Sequence, residues 1–349
     1  MTPQPIQPGS HVLVTGSTGY IGVHVVKQLL LAGYRVTGTT RSQEKANKIL
    51  KEFKGYQDKL NFVLTGDLEK EGAFDEAVKD VDAIAHVASP VTFNPKHPIK
   101  DVVNPAINGT NSLLQSAHKY GKNVKHVVVT SSVASVVHER TDPTPYVFDE
   151  KDWNDHDMNA ILNWKEGTPI DGLQTYKASK NAAERAVWKF QKENQPSFTI
   201  NTVLPGFTLG EYIPKPTSSS EFGDAGSAGL FLQYYTGSNR DMTSITDLNV
   251  FVGVDEVALG HVRAIEKGYE SNGERFLLVN GKYSGQLIVD LMRKNYPERK
   301  DIIEEGNPGQ YATTPNRVDG SKATRVLGIK YHDLETLLNQ TIESAKHVF

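Results

Sequence analysis

The chain has 349 residues, 38% of them hydrophobic, with a net charge of −3 and no cysteine. That length accommodates one large domain or two modest ones, and so small a charge gives no bulk electrostatic pull toward nucleic acid or membrane. Without cysteine, disulfides, thiol nucleophiles and thiolate metal sites are excluded.

Residues 1–10, rich in proline and lacking an apolar core, read as a flexible arm rather than a signal peptide. No apolar run approaches the ~20 residues that span a bilayer, so a cytoplasmic protein is expected. Val12-Leu13-Val14 then reads as a buried strand, and Ile21, Val25, Leu29 and Leu30 follow at helical spacing. Gly16, Gly19 and Gly22 fall between them. In that context they predict a sharp turn, a close backbone approach to a pyrophosphate and tight helix packing, with the helix N-terminus toward the phosphates.

Tyr34 to Thr39 is the second predicted strand. Its end, where an NAD enzyme carries an acidic residue for the ribose, reads Thr39-Thr40-Arg41-Ser42, with Lys45 following. Arg41 and Lys45 suit a 2′-phosphate by charge, and Arg41 also by its planar guanidinium fork, although basic residues at a helix start can be merely solvated. Asn61 to Thr65 is a third strand. Beyond it, Asp67 could accept a hydrogen bond from an adenine amino group or cap the next helix. Val81 to Val87 is a fourth, ending in Ala88 and Ser89, small enough for a cofactor to lie against the backbone. His86 fits the apolar pattern as a core residue, and no histidine pair has metal spacing.

Val102 to Tyr120 is helical. Val124 to Thr130 is a fifth strand running into Ser131-Ser132, hydroxyls at a strand end where open α/β sheets bind ligands. After a polar loop, Tyr176 and Lys180 stand four apart on a long amphipathic helix and share one face. Phe198 to Leu204 is a sixth strand, ending at Pro205-Gly206. The segment 212–247, with Phe222, Phe231, Tyr234 and Tyr235, reads as a lid or substrate-side loop system, with disorder an equal alternative around 216–220. Val250 to Lys267 is a short strand and a helix, and Arg275 to Val279 another strand.

This alternation predicts an α/β fold: a doubly wound, Rossmann-type parallel sheet of seven strands, an eighth being conceivable. The expected division is a dinucleotide-binding domain over 11–205 and about 251–279, and a smaller discontinuous substrate domain over about 206–250 and 280–349.

Six motifs in order resemble the extended short-chain dehydrogenases/reductases, in particular the group of dihydroflavonol-reductase-like enzymes and yeast methylglyoxal and carbonyl reductases. They are Thr15-Gly16-x-x-Gly19-x-x-Gly22, Arg41-Ser42-x-Glu44-Lys45, His86-Val87-Ala88-Ser89-Pro90, Thr130-Ser131-Ser132, Asp149-Glu150-x-x-Trp153-Asn154 and Tyr176-x-x-Ser179-Lys180. The tail, Asp319 to Leu327 followed by Gly-Ile-Lys, fits as well, and the likeness covers roughly residues 11–345. It implies Ser132, Tyr176 and Lys180 as catalytic residues and Asn108 as the best match for a relay asparagine. The cofactor side would comprise Gly16 to Gly22 with Thr18, Tyr20 and Ile21, then Arg41, Lys45, Asp67, Leu68, Ala88, Ser89 and Thr130, besides Tyr176 and Lys180. Pro205, Gly206, Phe207 and Thr208 would flank the nicotinamide. Val91, Phe93 and Val133, with Ser132 and Tyr176, would line the substrate side. One departure stands at Val252 to Ala258, where the group's usual Asp-Val-Arg-Asp-Val-Ala reads Val-Gly-Val-Asp-Glu-Val-Ala, which removes a local charged pair.

The activity implied is reduction of a small ketone or aldehyde, apolar or aromatic, with NADP(H) as cofactor, no metal, and a monomeric or homodimeric enzyme. A nucleotide-sugar epimerase or dehydratase shares the glycine and Tyr-x-x-x-Lys motifs. It is disfavoured by Arg41 and by Lys215 and Arg240 being the only basic residues in 212–247. A dinucleotide-sensing regulator without chemistry would have no need of both Tyr176 and Lys180.

Overall fold

The computed structural model describes residues 5–349 except 91, 93, 141, 143, 225, 243–245 and 247. Its centre is a seven-stranded, wholly parallel sheet built from β1 (His11–Thr15), β2 (Arg35–Thr40), β3 (Leu60–Leu64), β4 (Ala83–His86), β5 (His126–Thr130), β7 (Thr199–Pro205) and β10 (Arg275–Leu278). The short β6 (Val147–Phe148) lies outside this sheet and pairs in parallel with β12 (Arg317–Val318). The sheet order is β10-β7-β5-β4-β1-β2-β3, so the winding reverses between β1 and β4. At such a switch point the carboxyl ends of the strands open a crevice.

Alternation along the strands sorts side chains to two faces. Val12 and Val14 join the apolar cluster under α1 (Tyr20–Leu31), α7 (Val254–Lys267) and α9 (Ser321–Leu327). Leu13 points the other way, into a cluster with Leu113 and Leu114 of α3 (Asn104–Tyr120) and Val187 and Phe190 of α5 (Gly172–Asn194). The Asp171 carboxylate caps α5 by accepting from Gln174 N–H at 3.0 Å. The remaining sheet-lobe helices are α2 (Gln43–Glu52) and α4 (Asp155–Leu162).

A second core surrounds α6 (Gly226–Tyr235), α8 (Gly285–Asn295) and α10 (Leu334–Ala345), beside a small sheet of β8 (Phe207–Leu209), β9 (Val250–Gly253) and β11 (Gly281–Lys282). Tyr212, Phe222, Phe231, Tyr235 and Met242 are buried in it with Tyr283 and Tyr296. The aromatics of 212–242 therefore build the interior of this lobe, because rings of that size gain most by packing together. Residues 216–224 form bends and a 3-10 turn.

Three local expectations are corrected. The predicted arm is docked from Ile6 onward: Ile6 is 4% exposed in the main core, and Gly9 N–H donates to Gly33 O at 3.0 Å. Residues 71–80 are successive turns rather than the helix Asp67 could have capped, and the Asp67 carboxylate accepts from Glu69 N–H at 3.0 Å. Within 280–349, Ala323, Leu327 and Ile329 pack into the core of the large sheet, while α10 packs with the second lobe. The chain thus crosses back once more than the sequence pattern shows.

Candidate cofactor cleft and active site

The glycine-rich turn is built by close approach. Gly16 has φ +63°, and a Cβ there would meet the Ala88 backbone at 2.9 Å. A Cβ on Gly22 would lie 2.1 Å from Gly16 O, so the first turn of α1 sits directly on the loop. Gly19 N–H closes that loop on Gly16 O at 3.0 Å. The Thr15 hydroxyl accepts from the N–H groups of Val87 and Ala88, each at 3.1 Å, and lies 2.8 Å from His86 Nδ1. It thereby sews the end of β1 to the 87–89 segment. Burial, helped by the Lys180 charge, pushes the His86 ring down to about 3. This is a neutral core histidine.

Ser17 donates to Thr39 O at 2.9 Å and Thr18 Oγ1 lies 3.3 Å from Thr40 Oγ1. The glycine loop is so tied to the end of β2, and Arg41 follows at once, exposed. Ser42 caps α2 by accepting from Lys45 N–H at 3.2 Å. Arg41 forms no ion pair among the described residues.

Across the switch point, the lining of a small cavity includes His86, Ala88, Ser89, Thr110, Thr130, Ser131, Lys180 and Glu184. Lys180 is 7% exposed, and its ammonium has no hydrogen bond among the described residues. It sits 5.7 Å from the centroid of the Tyr176 ring. Tyr176 is half-buried and packs against the apolar cluster that holds Val133 and Phe207. Ser132 accepts from Ala134 N–H at 3.1 Å and so caps the turn Val133–Ser135 that lies on α5. Its hydroxyl hydrogen has no acceptor among the described residues.

Several expected site residues sit differently. Asn108 is exposed and outside the cavity lining, where the α3 residue is Thr110, two positions on and on another side of the helix. The Thr130 hydroxyl is engaged by His261 Nε2 at 2.7 Å. Val133 is 3% exposed and packed in the core, which removes it from the substrate side. Leu68 is partly buried against the α3 and α5 core. Val91 and Phe93 lie outside the described residues. Pro205 pairs with Leu278 at the end of β7, Gly206 N–H donates to Leu278 O at 3.1 Å, and Phe207 and Thr208 open β8 beside Tyr283 and Ser227.

At the departure over 252–258, both acids are partnered. Asp255 lies 2.7 Å from His24 Nδ1 and joins α7 to α1; although its burial opposes charge, His24 and Lys27 bring its carboxyl down to about 2. Glu256 accepts from Gly253 N–H at 2.6 Å and from His332 N–H at 2.6 Å. The most extensive buried polar group near the site escaped the sequence reading: Glu184, on α5, pairs with Arg275 Nε at 2.7 Å. Its spacing of four from Lys180 was a usable signal; Arg275, 91 residues away, offered none.

A Rossmann sheet with a glycine cradle and a Tyr-x-x-x-Lys helix at its carboxyl edge defines a class, and residues 12–278 match the model of the NAD dependent epimerase/dehydratase family. The chain belongs to that family, the extended short-chain dehydrogenases/reductases. It is 34% identical over 341 residues to a ketoreductase of Aspergillus niger, covering 95% of this chain and 96% of that one. To aldehyde reductase 2 of Sporidiobolus salmonicolor it is 33% identical over 303 residues, 86% of each. The crystal structure of yeast methylglyoxal/isovaleraldehyde reductase complexed with NADPH superimposes with a TM-score of 0.83 at 27% identity, over 97% of this chain and all of the other.

Proposed function

We infer that this chain is an NADPH-dependent reductase that converts ketones or aldehydes to alcohols. The observation that carries the reading is a lysine that lines the cavity, its ammonium unpartnered among the described residues and one helical turn from a half-buried tyrosine. The residues present fit a dinucleotide: a side chain at Gly16 or Gly22 would fill the space its backbone cradle needs, and Arg41, without an ion pair among the described residues, stands where a 2′-phosphate would be met.

When bound, the reduced nicotinamide supplies the hydride that adds to the carbonyl carbon. Negative charge then builds on the carbonyl oxygen, and Tyr176 donates its phenolic proton there as general acid. Lys180 stabilises the phenolate this leaves and offers its remaining N–H groups to ribose hydroxyls. Ser132, with a hydroxyl hydrogen to give, is a second donor to the same oxygen and orients it. Arg41, with Lys45 beside it, holds the 2′-phosphate, and Gly16 to Gly22 with Ala88 and Ser89 hold the rest of the dinucleotide. Pro205 to Thr208 flank the nicotinamide, and Phe207 makes the substrate side apolar, which favours a small carbonyl compound with an apolar or aromatic substituent. Asn108 is left without a catalytic part. The larger sheet lobe carries the cofactor and the lobe around α6, α8 and α10 closes over substrate. A cytoplasmic monomer or homodimer accords with these features; no helix among the described residues is long and apolar enough to cross a membrane.

The test is NADPH oxidation against a panel of ketones, aldehydes and nucleotide sugars. Consumption of NADPH with carbonyl compounds is the expected result. Interconversion of nucleotide sugars on NAD without net oxidation would assign the site to epimerisation.

A further inference from the structure

Glu184 lies four residues beyond Lys180 and eight beyond Tyr176, on the same face of α5. Its carboxylate is wholly buried, and both oxygens are saturated by donors. Oε1 accepts from Arg275 Nε at 2.7 Å and from the Thr202 hydroxyl at 2.8 Å. Oε2 accepts from the Ser131 hydroxyl at 2.7 Å, the Ser135 hydroxyl at 2.6 Å and Arg275 Nη2 at 3.1 Å. Ser131 and Ser135 are the two ends of the loop that carries Ser132. The Ser135 hydroxyl also lies 2.8 Å from the carbonyl oxygen of Ser132 itself.

Arg275 is held in turn by the 149–154 segment, the one quoted motif with no part in the chemistry above. Its Nη1 donates to the carbonyl oxygens of Glu150 and Asp152, each at 2.7 Å, and its guanidinium stacks 3.8 Å from the Trp153 ring centroid. Asn154 then donates to the carbonyl oxygens of Ala134 and Val137, each at 3.0 Å, closing the frame around the serine loop. A buried ion pair of this kind contributes little net stability compared with apolar residues, so a frame this complete calls for another role.

We propose that Glu184 is a positioning residue for carbonyl reduction, its carboxylate clamping the serines on either side of Ser132 to the helix that carries Tyr176 and Lys180. The proposal rests on the functional reading above. Two donors that meet one carbonyl oxygen must keep a fixed separation, and they stand here on different elements, the loop after β5 and α5. Charge-assisted hydrogen bonds from one carboxylate to both ends of the loop set that separation without touching substrate.

The test is a double-mutant cycle of Ser135→Ala with Ser132→Ala, measured as NADPH oxidation with methylglyoxal as probe and NADPH affinity by fluorescence titration. Ser135→Ala cuts one limb of the clamp and leaves the Glu184–Arg275 pair intact. In the otherwise unchanged chain kcat should fall about tenfold, with KM and NADPH affinity held within about twofold. In the Ser132→Ala background the same change should alter kcat by less than about twofold, since the loop then carries no donor to be positioned against Tyr176. An unchanged kcat for Ser135→Ala, or an equal fall in both backgrounds, would overturn the proposal. Should Ser135→Ala not fold, Ser131→Ala cuts the other limb and carries the same cycle. A Ser132→Ala enzyme with full kcat would instead strike at the functional reading.

Discussion

The ammonium of Lys180 lies 5.7 Å from the centroid of the Tyr176 ring, one turn further along α5. Nothing among the described residues takes its hydrogens, although only 7% of the residue is exposed. Lys180→Ala should weaken NADPH binding and turnover together, since the same charge serves the cofactor ribose and the tyrosine oxygen. Fluorescence titration and steady-state rates on one preparation check this; normal NADPH affinity with lost turnover would confine the lysine to the tyrosine.

Arg41 should discriminate between the two nicotinamide cofactors. NADPH carries an extra phosphate of nearly two negative charges, and a hydrogen bond to a charged group contributes about 1.5–3 kcal/mol. Arg41→Ala should weaken NADPH about tenfold or more and leave NADH nearly unchanged. Gly22→Ala is the contrasting variant. Its methyl group would meet Gly16 O at 2.1 Å, so it should damage binding of both cofactors alike. Equal loss of both from Arg41→Ala would give the arginine a structural part only.

Most of the fold was legible because parallel buried strands announce themselves as short apolar runs, most of them set beside helical patterns. The glycine loop was legible for the same reason, although the contact that demands Gly22 is with Gly16 O rather than with the strand. What stayed hidden depends on distant partners. Ile6 sits in a proline-rich arm, and only the folded core shows that it docks. The aromatics of 212–242 looked like a lid because their partners, Tyr283 and Tyr296, come much later in the chain. Asn108 and Thr110 are both polar residues on one helix, and the choice between them needed the orientation of α3. Glu184 found four hydroxyl and guanidinium partners on the loop after β5, β7 and β10, none of them local in sequence.

Acid stability should report the buried histidines. His261 Nδ1 faces the Val257 carbonyl oxygen at 2.8 Å, so it carries the hydrogen, and Nε2 accepts from Thr130. Burial is the larger influence and takes this ring down to about 4. The unfolded chain, with histidine near ~6.5, then binds one more proton than the folded chain between those two values. Stability therefore rises with pH through that window, levels above it, and is lost as pH falls. His86, lowered to about 3, acts in the same direction. Chemical denaturation between pH 7 and 4.5 should lose less stability in His261→Gln than in the parent, the difference approaching ~1.4 kcal/mol per pH unit at most. Parallel curves for the two would show that His261 does not titrate on unfolding.

The central claim is proton donation by Tyr176, and Tyr176→Phe tests it most directly. The substitution keeps the ring against the apolar cluster it shares with Phe207 and removes only the hydroxyl. NADPH should bind as before while the rate of carbonyl reduction falls by ~100-fold or more. A Tyr176→Phe enzyme that binds NADPH normally and still reduces carbonyl compounds at close to the parent rate would contradict the account.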